Sequence, residues 1–335
     1  MRGKRIFLAK SLAHSGLLNV IRGTAQDRLV VFNYHRLRPD GWNTANLFDD
    51  GVFGPATLMF VGQIEWLKRY TRILTLDELE RIVESGRAPH GLSTMVTFDD
   101  GYRDNYAIAL PVLRRFGVPA TFFIATEPTE NRRLGWWDLI AYMIKQTMQP
   151  QICVEGRKID VRGRRAQVIR ELQRLMKTAP AQTTTAFLEH LSEACGVALP
   201  DAIRQDSQLM TWDHVRELAA EGFGIGSHTH TQRVLATLSP AEQEEELRRS
   251  KATLEYQIGR RVQALAYPVG GYRHFTAQTQ AIAARCGYTL GFSFNTFVNT
   301  WHAFNRFNIK RLSGPDNVSL LAAEAILPGV FARCK

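Results

Sequence analysis

Two adjacent carboxylates, Asp99 and Asp100, close the segment Thr97-Phe98-Asp99-Asp100-Gly101, which ends the apolar run from Ser93. Such a pair can divide labour. One carboxylate ligates a metal ion and the other takes a proton from the water that the ion binds. His228 and His230 follow in Ser227-His228-Thr229-His230, after the short run from Gly224, and imidazole can complete a metal site begun by a carboxylate. A third cluster, Ala266-Tyr267-Pro268-Val269-Gly270, follows the apolar stretch from Val262. Each has an ordinary explanation when taken alone: Asp-Asp-Gly is a frequent turn, and a lone histidine is usually a neutral core residue. Their shared position, each at the end of an apolar run, points to chemistry at the carboxyl ends of parallel strands.

The elements that would position these clusters alternate. Arg28–His35 is rich in β-branched residues and reads as a buried strand. Ser93–Phe98, Val118–Ala125, Gly224–His228, Val262–Tyr267, Leu290–Phe294 and Phe307–Leu312 read as further strands. Between them lie helical patterns: Leu76–Val83, Tyr106–Phe116, Thr211–Glu221 with Thr211 as N-cap, Ser239–Ile258 opening Ser-Pro, and Thr276–Cys286. This rhythm predicts an α/β fold, a distorted (β/α) barrel of about seven parallel strands. The stretch of about 127–210 breaks the rhythm and reads as a helical insertion opened by Gly135-Trp136-Trp137-Asp138. The two tryptophans either stack on sugar rings or anchor the insertion to the barrel.

The chain has 335 residues, 45% hydrophobic and 22% charged, a composition that excludes intrinsic disorder and collagen-like fibres. Cys153, Cys195, Cys286 and Cys334 are scattered without a Cys-x-x-Cys pair, so a cysteine-rich zinc site is not expected. The formal charge of +10 suits an anionic surface or a phosphorylated substrate. No basic cluster interleaved with aromatics accompanies it, and nucleic acid is not an expected partner. Residues 1–27 form a basic segment whose Ile6, Leu8, Leu12, Leu17, Val20 and Ile21 give one helical face. That face either packs on the body of the protein or lies on an anionic leaflet. Neither a secretory signal nor a spanning helix is expected.

Thr97–Gly101, Gly226–Thr229 and Ala266–Gly270, in that order, resemble the successive motifs of the polysaccharide deacetylase family, the NodB-homology group or carbohydrate esterase family 4. The strand ending Asn33-Tyr34-His35-Arg36 is similar to the first strand of one bacterial branch. The resemblance runs from about 28 to 312 outside the insertion. It implies a distorted barrel that removes N-acetyl, sometimes O-acetyl, groups from glycans with a divalent metal, usually zinc, held by one Asp and two His. By position, Asp99 resembles the catalytic base, Asp100 and His228 resemble metal ligands, and the backbone N–H of Val269 resembles an oxyanion donor. This chain departs at three places. Gln232 stands where the family has its second ligand histidine, with His230 two positions earlier as a substitute. Ala266 stands where the family often has an arginine that orients the base. Arg311 stands where the family has a histidine general acid, and it can stabilise a developing anion or bind a phosphate. His35, His274 and His302 are candidate replacement acids, His35 first because it ends a strand. The implied function is metal-dependent deacetylation of a glycan or lipid-linked sugar precursor in the bacterial cytoplasm, at the inner face of the membrane. The alternative is a catalytically impaired protein that binds a glycan or partner on the same fold.

Overall fold

A computed structural model describes residues 2–23, 27–42, 46–177, 184–200 and 208–331. Cys334 lies outside them. Seven parallel strands carry the fold: β1 (Arg28–Tyr34), β2 (Leu92–Phe98), β3 (Thr121–Ile124), β4 (Gly224–Ser227), β5 (Ala264–Ala266), β6 (Leu290–Phe292) and β7 (Arg311–Ser313). They pair in the order β1-β2-β3-β4-β5-β6. The ring returns to its start because Phe292 of β6 bridges Ile309, and β7, two residues on, pairs with β1 through Val31↔Arg311. The expected barrel is therefore present, with strands of three to seven residues, several shorter than their apolar runs.

The strands are apolar on both faces because the sheet is covered on both. Leu29, Val31, Met95, Phe123, Ala264, Ala266, Leu290, Phe292 and Ile309 fill the barrel interior. Val30, Phe32, Val96, Phe98, Phe122, Ile225 and Leu265 pack outward against the helices. The interior is narrow: a Cβ on Gly226 would lie 2.4 Å from the Phe123 ring. Side chains alternate along a strand, so following the inward series toward the carboxyl mouth of the barrel names residues of the site. Val31 leads to Asn33, Met95 and Thr97 to Asp99, Gly226 to His228, and Ile309 to Arg311.

At the N-terminus, α1 (Arg2–His14) and α2 (Leu17–Arg22) pack on the late helix Val318–Ile326. Ala9 and Leu18 are buried, and Ile6, Leu12 and Ile21 lie against the core. Leu8, Leu17 and Val20 do not join that face and remain exposed with Phe7.

Between β3 and β4 the chain leaves the barrel and builds its own apolar cluster from α3 (Trp136–Gln146), α4 (Arg165–Met176) and α5 (Thr184–Cys195). The stretch read as a helical insertion also holds an antiparallel hairpin, Gln151–Val154 with Arg157–Asp160, that the helical pattern did not reveal. Its Glu155-Gly156 turn has positive φ at both residues, the two-residue geometry that matches strand twist. The two caps read from the sequence, Thr211 and Ser239, both form with reciprocal bonds at the third helical residue.

Candidate functional site

The carboxyl ends of the strands open into a cleft of about 410 Å³ lined by His35, Asp99, Asp100, His228, Gln232, Tyr267, Val269, Phe294 and Arg311. Volumes of roughly 300–1,000 Å³ are usual for small-molecule sites. The stretch between β3 and β4 supplies a wall made of Trp136, Trp137, Arg170, Gln173 and Lys177.

Asp99 is buried and held from three sides. Arg311 donates from Nη1 to Oδ1 at 2.7 Å and from Nη2 to Oδ2 at 2.8 Å. Asn33 Nδ2 donates to Oδ2 at 3.0 Å. Arg311 is itself fixed, its Nε donating to the Ser293 carbonyl at 3.0 Å and its Nη1 also to Asn33 Oδ1 at 2.8 Å. Burial raises the Asp99 pKa, but the Arg311 guanidinium, with His228 and His35, outweighs it and holds the carboxyl at about 2. The expectation that Arg311 is free to bind phosphate is corrected: its fork is spent on Asp99, Asn33 and a backbone carbonyl.

Asp100 turns into the cleft by adopting the left-handed region, φ 76°. Its Oδ1 lies 3.3 Å from His228 Nε2 and accepts a hydrogen bond from Gln232 Nε2. His228 Nδ1 lies 2.9 Å from the Ala266 carbonyl. Donation to that carbonyl would leave Nε2 facing Asp100, the arrangement common behind a ligating histidine. Burial works against protonation of His228, yet Asp99 and Asp100 overrule it and raise its pKa.

The donors fit a divalent ion only in a weakened form. The 3.3 Å between Asp100 and His228 matches the edge of a tetrahedral shell, roughly 3.4 Å for bonds of 2.0–2.1 Å. Among the described residues no three His, Cys, Asp or Glu side chains are grouped to hold a metal. Gln232 reaches the third place and would have to turn its amide over to offer Oε1, a donor better suited to harder ions than to zinc. His230 does not substitute. Its Nδ1 lies 2.8 Å from Thr126 Oγ1, outside the cleft lining, and its backbone N–H donates to Glu246.

Among the candidate acids, His35 is in place: its Nε2 lies 4.0 Å from Asp99 Oδ2 and its ring packs edge-on to Phe294. Asn105 Nδ2 holds the His35 carbonyl at 2.7 Å. His274 and His302 do not line the cleft; His302 is exposed on a 3-10 turn. Val269 has φ 60°, costly for a β-branched residue, at the centre of a three-residue turn closed by Gly270 N–H on the Pro268 carbonyl. The strain presents a cleft residue whose own N–H makes no hydrogen bond within the described residues.

The sequence reading missed Asn33, Phe294 and, on the wall, Arg170, Gln173 and Lys177. It also missed the contact that docks the wall. Tyr102, two residues after Asp100, donates to buried Asp138 Oδ2 at 2.6 Å and accepts from Trp137 Nε1 at 2.8 Å. Asp138 Oδ1 accepts the Asp49 N–H at 2.9 Å. Trp137 thus anchors while lining the cleft, so both readings offered for the tryptophan pair have a residue in position. The signal was available for Asn33, which continues the inward face of β1, and unavailable for Arg170, which approaches from another part of the chain.

A model of the polysaccharide deacetylase family matches residues 86–151 and 162–291, more than half of the chain. The putative polysaccharide deacetylase YxkH of Bacillus subtilis is 23% identical over 233 residues, 69% of this chain and 56% of that protein. The poly-beta-1,6-N-acetyl-D-glucosamine N-deacetylase of Staphylococcus epidermidis is 33% identical over 106 residues, 29% of this chain and 36% of its own length. The matches thus span about half or less of these curated relatives. Among solved structures, the Streptococcus pyogenes deacetylase PplD in complex with acetate superposes with a TM-score of 0.57 at 20% identity, covering 87% of this chain and 93% of that one. IcaB from Ammonifex degensii gives 0.55 at 20% identity, covering 90% and 97%. At these identities the likeness is one of fold.

Proposed function

The chain belongs to the polysaccharide deacetylase family, and from that premise we propose that its cleft removes acetyl groups, N-acetyl above all, from a glycan or a lipid-linked sugar precursor. The observation that carries this reading is the meeting of Asp99, Asp100, His228 and His35 in one cleft at the carboxyl ends of the barrel strands. A divalent ion on Asp100, His228 and Gln232 would supply a polarised acetyl carbonyl and an acidified water. Asp99, ionised at any working pH, orients the water and accepts its proton. The Val269 N–H meets the oxyanion. His35 faces Asp99 across 4.0 Å and hands a proton to the departing amine. Asn33 and Arg311 fix the carboxylate and leave it no rotamer freedom.

The test is acetate release from N-acetylated β-1,4- and β-1,6-glucosamine oligomers, with manganese, cobalt or zinc added and with a chelator. Acetate that disappears with the chelator and falls at least about 100-fold in Asp99→Asn supports the assignment. No acetate with any metal, on any oligomer, sinks it.

A second reading, a binding protein on this fold, is favoured by one observation: Gln232 gives Asp100 a neutral partner, so the carboxylate is satisfied by protein alone. Glycan binding that proceeds without turnover and ignores the chelator would establish it. A peripheral membrane contact is supported by Phe7, 74% exposed on the helix that carries Lys4 and Lys10, and by Val20, 75% exposed on the next helix. Among the described residues no helix is long and apolar enough to cross a membrane. Sedimentation with anionic vesicles, compared with Phe7→Ser and Val20→Ser, tests this contact.

A further inference from the structure

The wall that the β3–β4 stretch raises over the cleft is not neutral. Arg170, Gln173 and Lys177 follow one another at three and four residues along α4 and its C-cap, so they share one face, and all three line the cleft. The other face of α4, Val168, Leu172 and Met176, is buried in the stretch's own apolar cluster. The helix therefore cannot roll this face away from the cleft without exposing its core.

The carboxylates of the cleft are already engaged. Asp99 carries Arg311, and Asp100 carries Gln232 and His228. Asp49 accepts from Gly51 N–H at 2.9 Å and from Gln173 Nε2 at 2.9 Å. Arg170 is exposed and makes no hydrogen bond or ion pair among the described residues. A guanidinium is a planar fork suited to carboxylate or phosphate. Lys177 adds to the positive field at the same mouth: after burial, its ammonium is the next cause holding His274 below its ordinary pKa.

We propose that the cleft takes an acetylated sugar bearing a negative charge, phosphate or carboxylate, close to the reacting residue, and that Arg170 pairs with that charge, with Lys177 beside it. This subsite names the substrate class of the same site and rests on the deacetylase reading. It lies on the wall, away from Arg311, and the barrel motifs alone would not reveal it.

Three probes distinguish the charge sources: tetra-N-acetylchitotetraose, which is neutral, a hyaluronan tetrasaccharide, which carries carboxylates, and N-acetylglucosamine 1-phosphate. The expected result is a lower KM for at least one charged probe than for the neutral one. In Arg170→Gln that KM rises roughly tenfold, the scale of one charge-assisted hydrogen bond, with kcat and the neutral probe unchanged. Lys177→Gln gives a smaller rise. Arg174→Gln, an exposed cation on the same helix that does not line the cleft, changes none of them. Equal KM values for charged and neutral probes in the native protein, or a change in Arg170→Gln that is the same for both, overturns the subsite and leaves the deacetylase reading standing. If no probe releases acetate, that reading fails separately, and calorimetric binding of the same probes decides the subsite. Tighter binding of a charged probe, lost in Arg170→Gln, upholds it. Indifference to charge overturns it.

Discussion

Asp99 and Asp138 are both buried, one on the barrel and one where the β3–β4 stretch docks, yet their carboxyls are shifted in opposite directions. Burial drives each upward. At Asp99 a bidentate guanidinium overrides burial and the carboxyl sits at about 2. At Asp138 burial prevails over Arg36 and the hydrogen bonds from Tyr102 and the Asp49 N–H, and the carboxyl is pushed up to about 6. The difference teaches that depth alone does not set the shift: a bidentate guanidinium outweighs burial at Asp99, whereas at Asp104 a single contact from Arg36 at 2.8 Å does not. Asp99 on the barrel keeps its charge across the ordinary pH range, whereas Asp138, where the wall docks, titrates within it.

The largest effect should come from breaking the first arrangement. Arg311→Ala leaves a buried carboxylate with only Asn33 and is expected to cost about 3–5 kcal/mol of stability, measured by denaturant unfolding. Arg311→Lys, which keeps the charge and loses the fork, should recover part of it. A cost below about 1 kcal/mol would mean that Asp99 is not held as a buried ion pair.

The second arrangement predicts a pH slope of definite sign. The folded pKa of Asp138 is raised above its unfolded value, so its contribution is complete below about pH 4 and is lost as pH rises through about 6. Asp99 has the reverse sign. Its contribution is present above about pH 4 and is lost as pH falls toward 2. Asp138→Asn keeps the acceptor for the Asp49 N–H and removes the titration. Between pH 4 and pH 7 the variant should lose less stability than the native protein, by about 3 kcal/mol for a shift of some two pKa units. Parallel curves for the two proteins would show that Asp138 is ionised throughout.

Asp100 extends the comparison to a carboxylate whose new partner is neutral. Gln232→His supplies the third imidazole or carboxylate donor that the group lacks and should tighten divalent-metal binding by on the order of tenfold or more, read by competition with a chromogenic chelator. Unchanged affinity would mean that the backbone at Gln232, φ 59°, aims the side chain away from the ion. The smallest expected effect is at Trp136, which lines the cleft without the hydrogen bond that ties Trp137 to Tyr102. Trp136→Ala should raise KM for an oligomer by roughly threefold to tenfold and leave stability within about 1 kcal/mol.

Much of the barrel was legible because each strand is a short apolar run followed by a polar cluster, and parity then assigns Asp99, His228 and Arg311 to one mouth. Where the reading went wrong, partners distant in the chain decided. Arg311 looked available because its partner, Asp99, lies 212 positions away. His230 looked like a ligand because nothing local shows that Thr126 and Glu246 claim it. Val118–Ala125 read as one strand, yet only Thr121–Ile124 pairs, along its length with β4 and at Thr121 and Phe122 with β2. The hairpin at Gln151–Asp160 is short and largely exposed on one strand, and charge masked its alternation.

Strands β3 and β4 lie side by side, Thr121 opposite Gly224 and Ile124 opposite Ser227, although the whole wall is spelled out between them. The two ends of the wall are nonetheless neighbours in space, since Arg132 near its start donates to the Met210 carbonyl at its close. A segment hinged in this way can be lengthened, shortened or exchanged during descent while the barrel beneath keeps its register. Changes of length or residue in the wall need not disturb the strand ends beneath it.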